Sequence, residues 1–192
     1  MLSAMIVDQT ARAALTAPSL SSPVAADAHA LGVMTDFTND APATVTEDRQ
    51  IDAALNDMIL IGVRALVVIR EGEVLGLITA HDIQGEKPVK FLQSPLCTGN
   101  PCTRRTIVVG DIMARLGWLE TLEYTWVRAS KAGDLASVFA SNSYTHMFVM
   151  EPGNFGGVRR IRGLVSRTRL ERHLGHPIPM YLGQTTPPGD VN

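Results

Sequence analysis

The strongest constraint on how this 192-residue chain can fold is that it repeats itself. The stretch Gly76-Leu77-Ile78-Thr79-Ala80-His81-Asp82-Ile83 returns as Gly163-Leu164-Val165-Ser166-Arg167-Thr168-Arg169-Leu170, 87 residues later. Glycine, leucine, a β-branched residue and a hydroxyl recur in the same order. Each copy reads as a buried strand that runs into a helix start, with Thr79 or Ser166 as the capping hydroxyl. An internal repeat of this length predicts two similar supersecondary units that share one architecture.

The copies extend upstream. Ile51, Ala54, Leu55, Met58 and Ile59 carry the i, i+3, i+4, i+7, i+8 stripe of an amphipathic helix, and Ala132, Leu135, Ala136, Phe139 and Ala140 carry it again, 81 residues on. A strand follows each helix, at 65–69 and 146–150. The offset grows from 81 to 87 because the second connection is longer, through Pro152-Gly153-Asn154-Phe155-Gly156-Gly157, a hairpin loop by composition. Short extended pieces, Ala43-Thr44-Val45 and Thr125-Trp126-Val127, precede the helices. Asp48 and Ser130 are the expected N-caps, Gly62 the C-cap of the first helix, and Glu71-Gly72 the first hairpin turn. Residues 27–34 read as a helix leading into the first repeat. Trp118 and Trp126 read as core or interface anchors. The expected fold is α+β: two β-α-β-β-α repeats with pseudo-twofold symmetry, each packing its helices on a three-stranded sheet.

The end of the first copy carries the chemistry. A strand feeding a helix N-terminus leaves backbone N–H groups free to hold an anion. Asp82 adds a two-oxygen acceptor of the kind paired ribose hydroxyls need. Read from these residues alone, the stretch is either a nucleotide site or a capping box. In the second copy Arg169 stands where Asp82 stands in the first.

Two β-α-β-β-α units, closing on Gly-hydrophobic-hydrophobic-Thr/Ser-x-x-Asp, resemble a pair of cystathionine-β-synthase (CBS) domains, the Bateman module. Val33-Met34-Thr35 and Asp111-Ile112-Met113 resemble the hydrophobic-Met motif that opens each CBS repeat. The resemblance covers roughly residues 30–175; Arg169 and the long second hairpin depart from it. It implies a regulatory, signal-transducing module with two clefts between the repeats, binding an adenosine-type nucleotide (AMP, ADP, ATP or S-adenosylmethionine, with AMP or ATP foremost). Asp82 would accept the ribose hydroxyls and Thr79 contact phosphate. Backbone around Thr44, Val45 and Thr46 would meet the adenine edge, and Thr145 and His146 of the other repeat would face the phosphates. Arg64, Ser166 and Arg169 would form a weaker anion site in the second cleft, although Arg64 reads equally well as a solvated surface residue. The resemblance also implies a homodimer. Alternatives are a ligand-free dimeric scaffold that engages a protein partner and, third, a nucleic-acid-binding module.

The expected organisation is an N-terminal extension (1–32), the first repeat (33–84), a linker (85–109) with one short helix near Val89, Phe91 and Leu92, the second repeat (110–175) and an extended tail (176–192). Residues 1–15 carry the spacing of a short amphipathic helix, but propensity alone does not hold so short a helix in water, and the stretch reads as mobile ahead of docked on a partner chain. A charged fraction of 19% and an apolar fraction of 45% are ordinary for a soluble protein. A net charge of −2 offers no global field for nucleic acid. Arg159, Arg160, Arg162, Arg167, Arg169 and Arg172 do form a local cluster, but no aromatic residues are interleaved with it for base stacking. No apolar run approaches the ~20 residues of a membrane span, so no membrane role and a cytoplasmic location are expected. Cys97 and Cys102 fit neither a redox C-x-x-C nor a zinc site, and free thiols are expected in a reducing compartment. Arg104-Arg105 reads as a solvated face. No Walker, dinucleotide or nucleophile-elbow signature is present, and the five histidines show no metal spacing. Catalysis, a required cofactor and a bound metal are therefore not expected.

Overall fold

The computed structural model describes residues 26–97, 102–153 and 159–180. The amphipathic stretch over 1–15, most of the long hairpin loop and the tail beyond 180 lie outside the described residues. A 3-10 turn at Ala30–Gly32 leads into β1 (Thr35–Asp36). The first unit follows as β2 (Thr44–Thr46), α1 (Ile51–Ile61), β3 (Ala65–Arg70), β4 (Glu73–Thr79) and α2 (Ala80–Gln84), then α3 (Lys87–Leu92) and α4 (Val109–Ile112). The second comprises β5 (Ala114–Arg115), β6 (Thr121–Glu123), α5 (Tyr124–Ala129), α6 (Ala132–Ala140), β7 (His146–Glu151), β8 (Arg160–Ser166) and α7 (Arg167–Leu174).

The architecture is α+β, and each unit keeps three strands of its own: β2-β3-β4 and β6-β7-β8, with the first pair parallel and the second antiparallel. Each sheet then gains a fourth strand from the opposite half of the chain. The sheet orders are β2-β3-β4-β5 and β1-β8-β7-β6. The lead-in to the second unit thus lies on the first sheet, and the lead-in to the first lies on the second.

This exchange gives the repeated glycine a physical reason. Gly76 opposes Arg115 and Gly163 opposes Asp36 across the added pairs. A Cβ built on Gly76 would overlap the carbonyl oxygen of Ala114, and one on Gly163 would overlap that of Thr35. Only a residue without a side chain admits the incoming backbone at that distance.

Three apolar clusters follow the same logic. Ile51, Ala54 and Met58 of α1 pack on Leu66, Val68 and Ile78, with Ile107, Val109, Ile112 and Met113 added from the chain beyond 97. Leu135 and Phe139 of α6 pack on Met147, Val149 and Val165, with Ala30, Val33 and Met34 added from the N-terminal lead-in. The outer sheet faces meet each other through Val67, Leu77, Phe148 and Met150, with Phe37, Ile69 and Leu164 at the margin. The two units are therefore joined by a shared apolar layer as well as by exchanged strands.

Local details correct several expectations. Gln50, not Asp48, caps α1, its side chain accepting from the Ala53 N–H at 2.9 Å. Asp134 accepts from the Lys131 N–H at 2.8 Å and so closes the start of α6, while the Ser130 hydroxyl donates to the Trp126 carbonyl. The extended piece before α6 lies at β6, because Leu122 takes the buried strand position; residues 125–127 are helical within α5. Residues 27–34 hold only the 3-10 turn. Trp118 is 86% exposed and Trp126 is also on the surface, so neither anchors the core. Arg104 is engaged rather than solvated, donating to Asp52 at 2.8 Å and to the Ile83 carbonyl at 3.1 Å. Cys97 and Cys102 form a disulfide where free thiols were expected; their Cα atoms are 5.9 Å apart, within the span of such a bond. The turn at Glu71 (φ 50°) and Gly72 (φ 85°) and the left-handed cap at Gly62 (φ 79°) are as expected.

A bidentate ion pair clamps β1 to the second sheet. Arg162 Nε and Nη2 each donate to Asp36 at 2.9 Å, and the Arg162 guanidinium lies 4.7 Å from the Tyr124 ring centroid. The Arg162 bonds hold the Asp36 carboxyl far below the usual carboxylate range.

Two predictions follow from the exchanged strands. Gly163→Ala should destabilise the chain by about 2–3 kcal/mol through overpacking, lowering the melting temperature by roughly 4–12 °C; a variant melting with the wild type would show that β1 does not cross there. Asp36→Asn should cost about 2 kcal/mol at pH 7. Because the folded carboxyl is depressed, its contribution is present above the unfolded value near pH 4 and is lost as pH falls below it. The melting difference between Asp36→Asn and wild type should therefore shrink progressively below about pH 4.

Candidate functional site

A cavity of about 530 Å³ opens between the two units. The first unit contributes the segment before β2 (Ala41, Pro42, Ala43) and the turn from α1 into β3, including Arg64. From the second sheet and its exchanged strand come Thr35, His146, Leu164 and Ser166, and from the first turns of α7 come Thr168, Arg169 and Arg172.

Local structure explains each placement. The left-handed cap at Gly62 donates its N–H to the Met58 and Ile59 carbonyls and turns the chain so that Val63 and Arg64 border the opening. Ser166 ends β8 opposite His146 of β7 and caps α7 by accepting from the Arg169 N–H at 3.2 Å. Arg169 then reaches back to donate to the Thr35 hydroxyl at 2.9 Å. Arg172 follows one turn later on the same helix face.

The buried Arg167 anchors α7 behind the cavity. Its guanidinium donates to the carbonyls of Phe139, Asn142 and Tyr144 and to those of Ile178 and Pro179, with Phe139 stacked against it. Carbonyls, with no carboxylate among the described residues, satisfy this buried cation.

The stretch around Asp82 is organised separately. Asp82 Oδ2 accepts from the Thr79 N–H at 2.9 Å and from the Thr79 hydroxyl at 2.7 Å, and the Asp82 N–H donates to the Thr79 hydroxyl at 3.1 Å. Asp82 Oδ1 pairs with Lys87 at 2.8 Å. Its carboxylate is thus engaged on both oxygens, and a cavity of about 320 Å³ beside it is lined only by residues of 81–90. Thr79 is buried. Asp82 therefore supports the local fold, and its removal costs a capping box as well as an acceptor.

Of the candidate residues, Arg64, His146, Ser166 and Arg169 come together in the larger cavity, with Thr145 beside His146, its hydroxyl 3.0 Å from the ring Nδ1. Thr79 and Asp82 meet each other but do not line that cavity. Thr44 and Thr46 are exposed on β2, Val45 is buried in the first core, and none of the three lines either cavity. Arg172 and Thr35 were not among the candidates. Arg172 was legible as the residue one turn beyond Arg169; Thr35 was not, because it arrives by strand exchange.

His146 stands between the two regions. Burial pushes its ring down to about 4, against an opposing pull from the Asp82 charge. It is the neutral member of a cavity whose other titratable side chains are arginines.

Comparison with known proteins accords with this geometry. Residues 33–86 match the family model described as CBS domain. The first unit is a CBS domain. The second has the same strand and helix order, and solved structures with this fold span both units. An uncharacterized conserved protein of Pyrococcus horikoshii aligns at 23% identity and a TM-score of 0.50, covering 76% of this chain and 90% of that one. A Burkholderia ambifaria protein with CBS domains, proposed to act in signal transduction, aligns at 17% and 0.50, covering 71% and 84%. A proposed archaeal homolog of g-AMPK from Methanocaldococcus jannaschii aligns at 20% and 0.50, covering 77% of this chain and 48% of its own. No curated protein sequence matches. The cavity lies between this CBS unit and a second unit of the same fold. Among the described residues no helix is long and apolar enough to cross a membrane.

A depressed histidine makes stability fall with acid. The unfolded ring takes its proton near pH 6.5 and the folded ring near pH 4, so the contribution of neutral His146 is present above about pH 6.5 and is lost as pH falls between them. NMR titration should show the His146 ring neutral at pH 5.5. His146→Gln should flatten the loss of melting temperature between pH 6.5 and pH 4; an unchanged profile would place the titration elsewhere.

Proposed function

We propose that this chain is a regulatory module that binds an adenosine-type nucleotide between its two CBS units and works as a homodimer. The observation that carries the reading is the cavity itself. Its volume of about 530 Å³ lies in the range of small-molecule sites. Its walls come from both units, so a ligand there touches both and favours one relative arrangement over others, which is a population shift rather than chemistry. Thr79 and Asp82 are the proposed phosphate and ribose contacts of the first cleft, with the backbone of Thr44, Val45 and Thr46 toward the base and Thr145 and His146 toward phosphate. For Asp82 to serve, Lys87 must yield or share Oδ1. Arg64, Ser166 and Arg169 form the proposed anion-binding part of the second cleft. Ile59, Leu60 and Ile61 at the end of α1 are strongly exposed apolar residues, which supports a covered helix end in a dimer.

Melting the protein with AMP, ADP, ATP, S-adenosylmethionine and NAD tests the reading. A ligand at 100 times its Kd adds about 2.7 kcal/mol, a rise of roughly 5–11 °C at this length. At least one adenosine nucleotide should produce it, and light scattering should give twice the chain mass. A dimer that no nucleotide stabilises would leave the scaffold role in its place.

A further inference from the structure

We propose that the cavity bounded by Arg64, Arg169 and Arg172 is a polyphosphate site, which holds its ligand by phosphate charge and makes no demand on ribose hydroxyls. For the nucleoside half of the ligand this rests on the nucleotide reading above; for the phosphate half it stands by itself.

The argument begins with how the arginines are partnered. Arg49, Arg70, Arg104, Arg159, Arg160 and Arg162 each pair with a carboxylate. The cavity arginines do not. The side chains of Arg64 and Arg172 make no hydrogen bond or ion pair with another described residue, and the Arg169 guanidinium meets only the neutral Thr35 hydroxyl. No aspartate or glutamate lines the cavity. Three guanidinium charges thus converge on one concavity without a counter-ion from the described protein. The field is felt next door: after burial, the charges of Arg169 and Arg172 help hold the adjacent His173 ring below its usual range, and its buried Nδ1 has no hydrogen-bond partner among the described residues.

Three guanidiniums offer planar, multidentate donors matched to phosphate oxygens. A phosphate monoester brings a charge of about −1.5 to −2 at neutral pH, which leaves three arginines undercompensated. A di- or triphosphate chain comes closer to balance and gives each guanidinium a phosphoryl group. A guanidinium has no acceptor, so Arg169 cannot take the protons of a vicinal diol as a carboxylate at that position would. Phe37, Ile61, Val63 and Leu164 add apolar lining against which a flat ring can lie. The ligand class is therefore an organic polyphosphate, recognised at the phosphates and tolerated at the sugar.

Calorimetry on the full chain, at fixed ionic strength and without divalent cation, tests this with ATP, 2′,3′-dideoxy-ATP, AMP and sodium tripolyphosphate. The expected result is ATP and dideoxy-ATP within threefold of each other, AMP at least tenfold weaker, and tripolyphosphate displacing ATP. Arg64→Gln and Arg172→Gln should each weaken ATP at least tenfold, whereas Arg49→Gln, a surface arginine outside the cavity, should not. Melting of the ligand-free variants checks that they fold; if one does not, the ligand series on the unmodified chain decides. A tenfold preference for ATP over dideoxy-ATP, or full affinity in both cavity variants, overturns the inference and leaves the nucleotide reading standing. Tripolyphosphate binding with no nucleotide binding keeps the polyphosphate site and removes the nucleotide reading. No binding by any of the four overturns both.

Discussion

The close approach of two backbones at Gly76 and Gly163 is the constraint on which the remaining structure depends. At each point an incoming strand lies where any side chain would meet a carbonyl oxygen. The two glycines let β5 complete the first sheet and β1 complete the second. Because each lead-in also brings apolar residues, the cores are shared in the same sense: Val33 and Met34 serve the second unit, and Ile112 and Met113 serve the first. Neither unit has a complete core without residues from the other half of the chain. The pseudo-twofold arrangement is thus enforced by packing and by strand pairing together.

That exchange also builds the cavity. Thr35 reaches the second unit's Arg169 only because β1 is paired with β8. Arg64 approaches from the first unit because Gly62 ends α1 in a left-handed turn. On the far side, Arg167 draws five carbonyls from the α6–β7 connection and the chain after α7 around one guanidinium. A ligand that pulled on Ser166 and Arg169 would therefore act on a helix already fixed at its start to two other segments. A change in how the units sit is then transmitted by rigid pieces rather than by a flexible loop.

Charge is distributed unevenly between the two copies of the repeat. In the first, Asp82 is consumed locally, by Thr79 on one oxygen and Lys87 on the other. In the second, the helix start carries Arg169 and Arg172, and no carboxylate is among the described residues that line the cavity with them. The backbone pattern repeats while the side chains at the two corresponding helix starts, Asp82 and Arg169, carry opposite signs. The near-neutral total charge conceals this, because six arginines outside the cavity, Arg49, Arg70, Arg104, Arg159, Arg160 and Arg162, sit against neighbouring carboxylates.

The repeat, its offset, the amphipathic stripes of α1 and α6 and the Thr79–Asp82 capping box were all legible in the sequence, since each depends on residues a few positions apart. So were the Glu71-Gly72 turn and the Gly62 cap. The caps at Gln50 and Asp134 were not, because Asp48 and Ser130 have equal local merit and only the path of the preceding chain chooses between them. The disulfide depended on the distance between Cys97 and Cys102, which their spacing in the sequence does not fix. Above all, the sequence could name Arg64, His146, Ser166 and Arg169 but could not say which of them share a cavity. That was decided by the exchange of β1 and β5, a long-range pairing whose only local trace is a glycine, and by the shared apolar layer that sets the two sheets face to face.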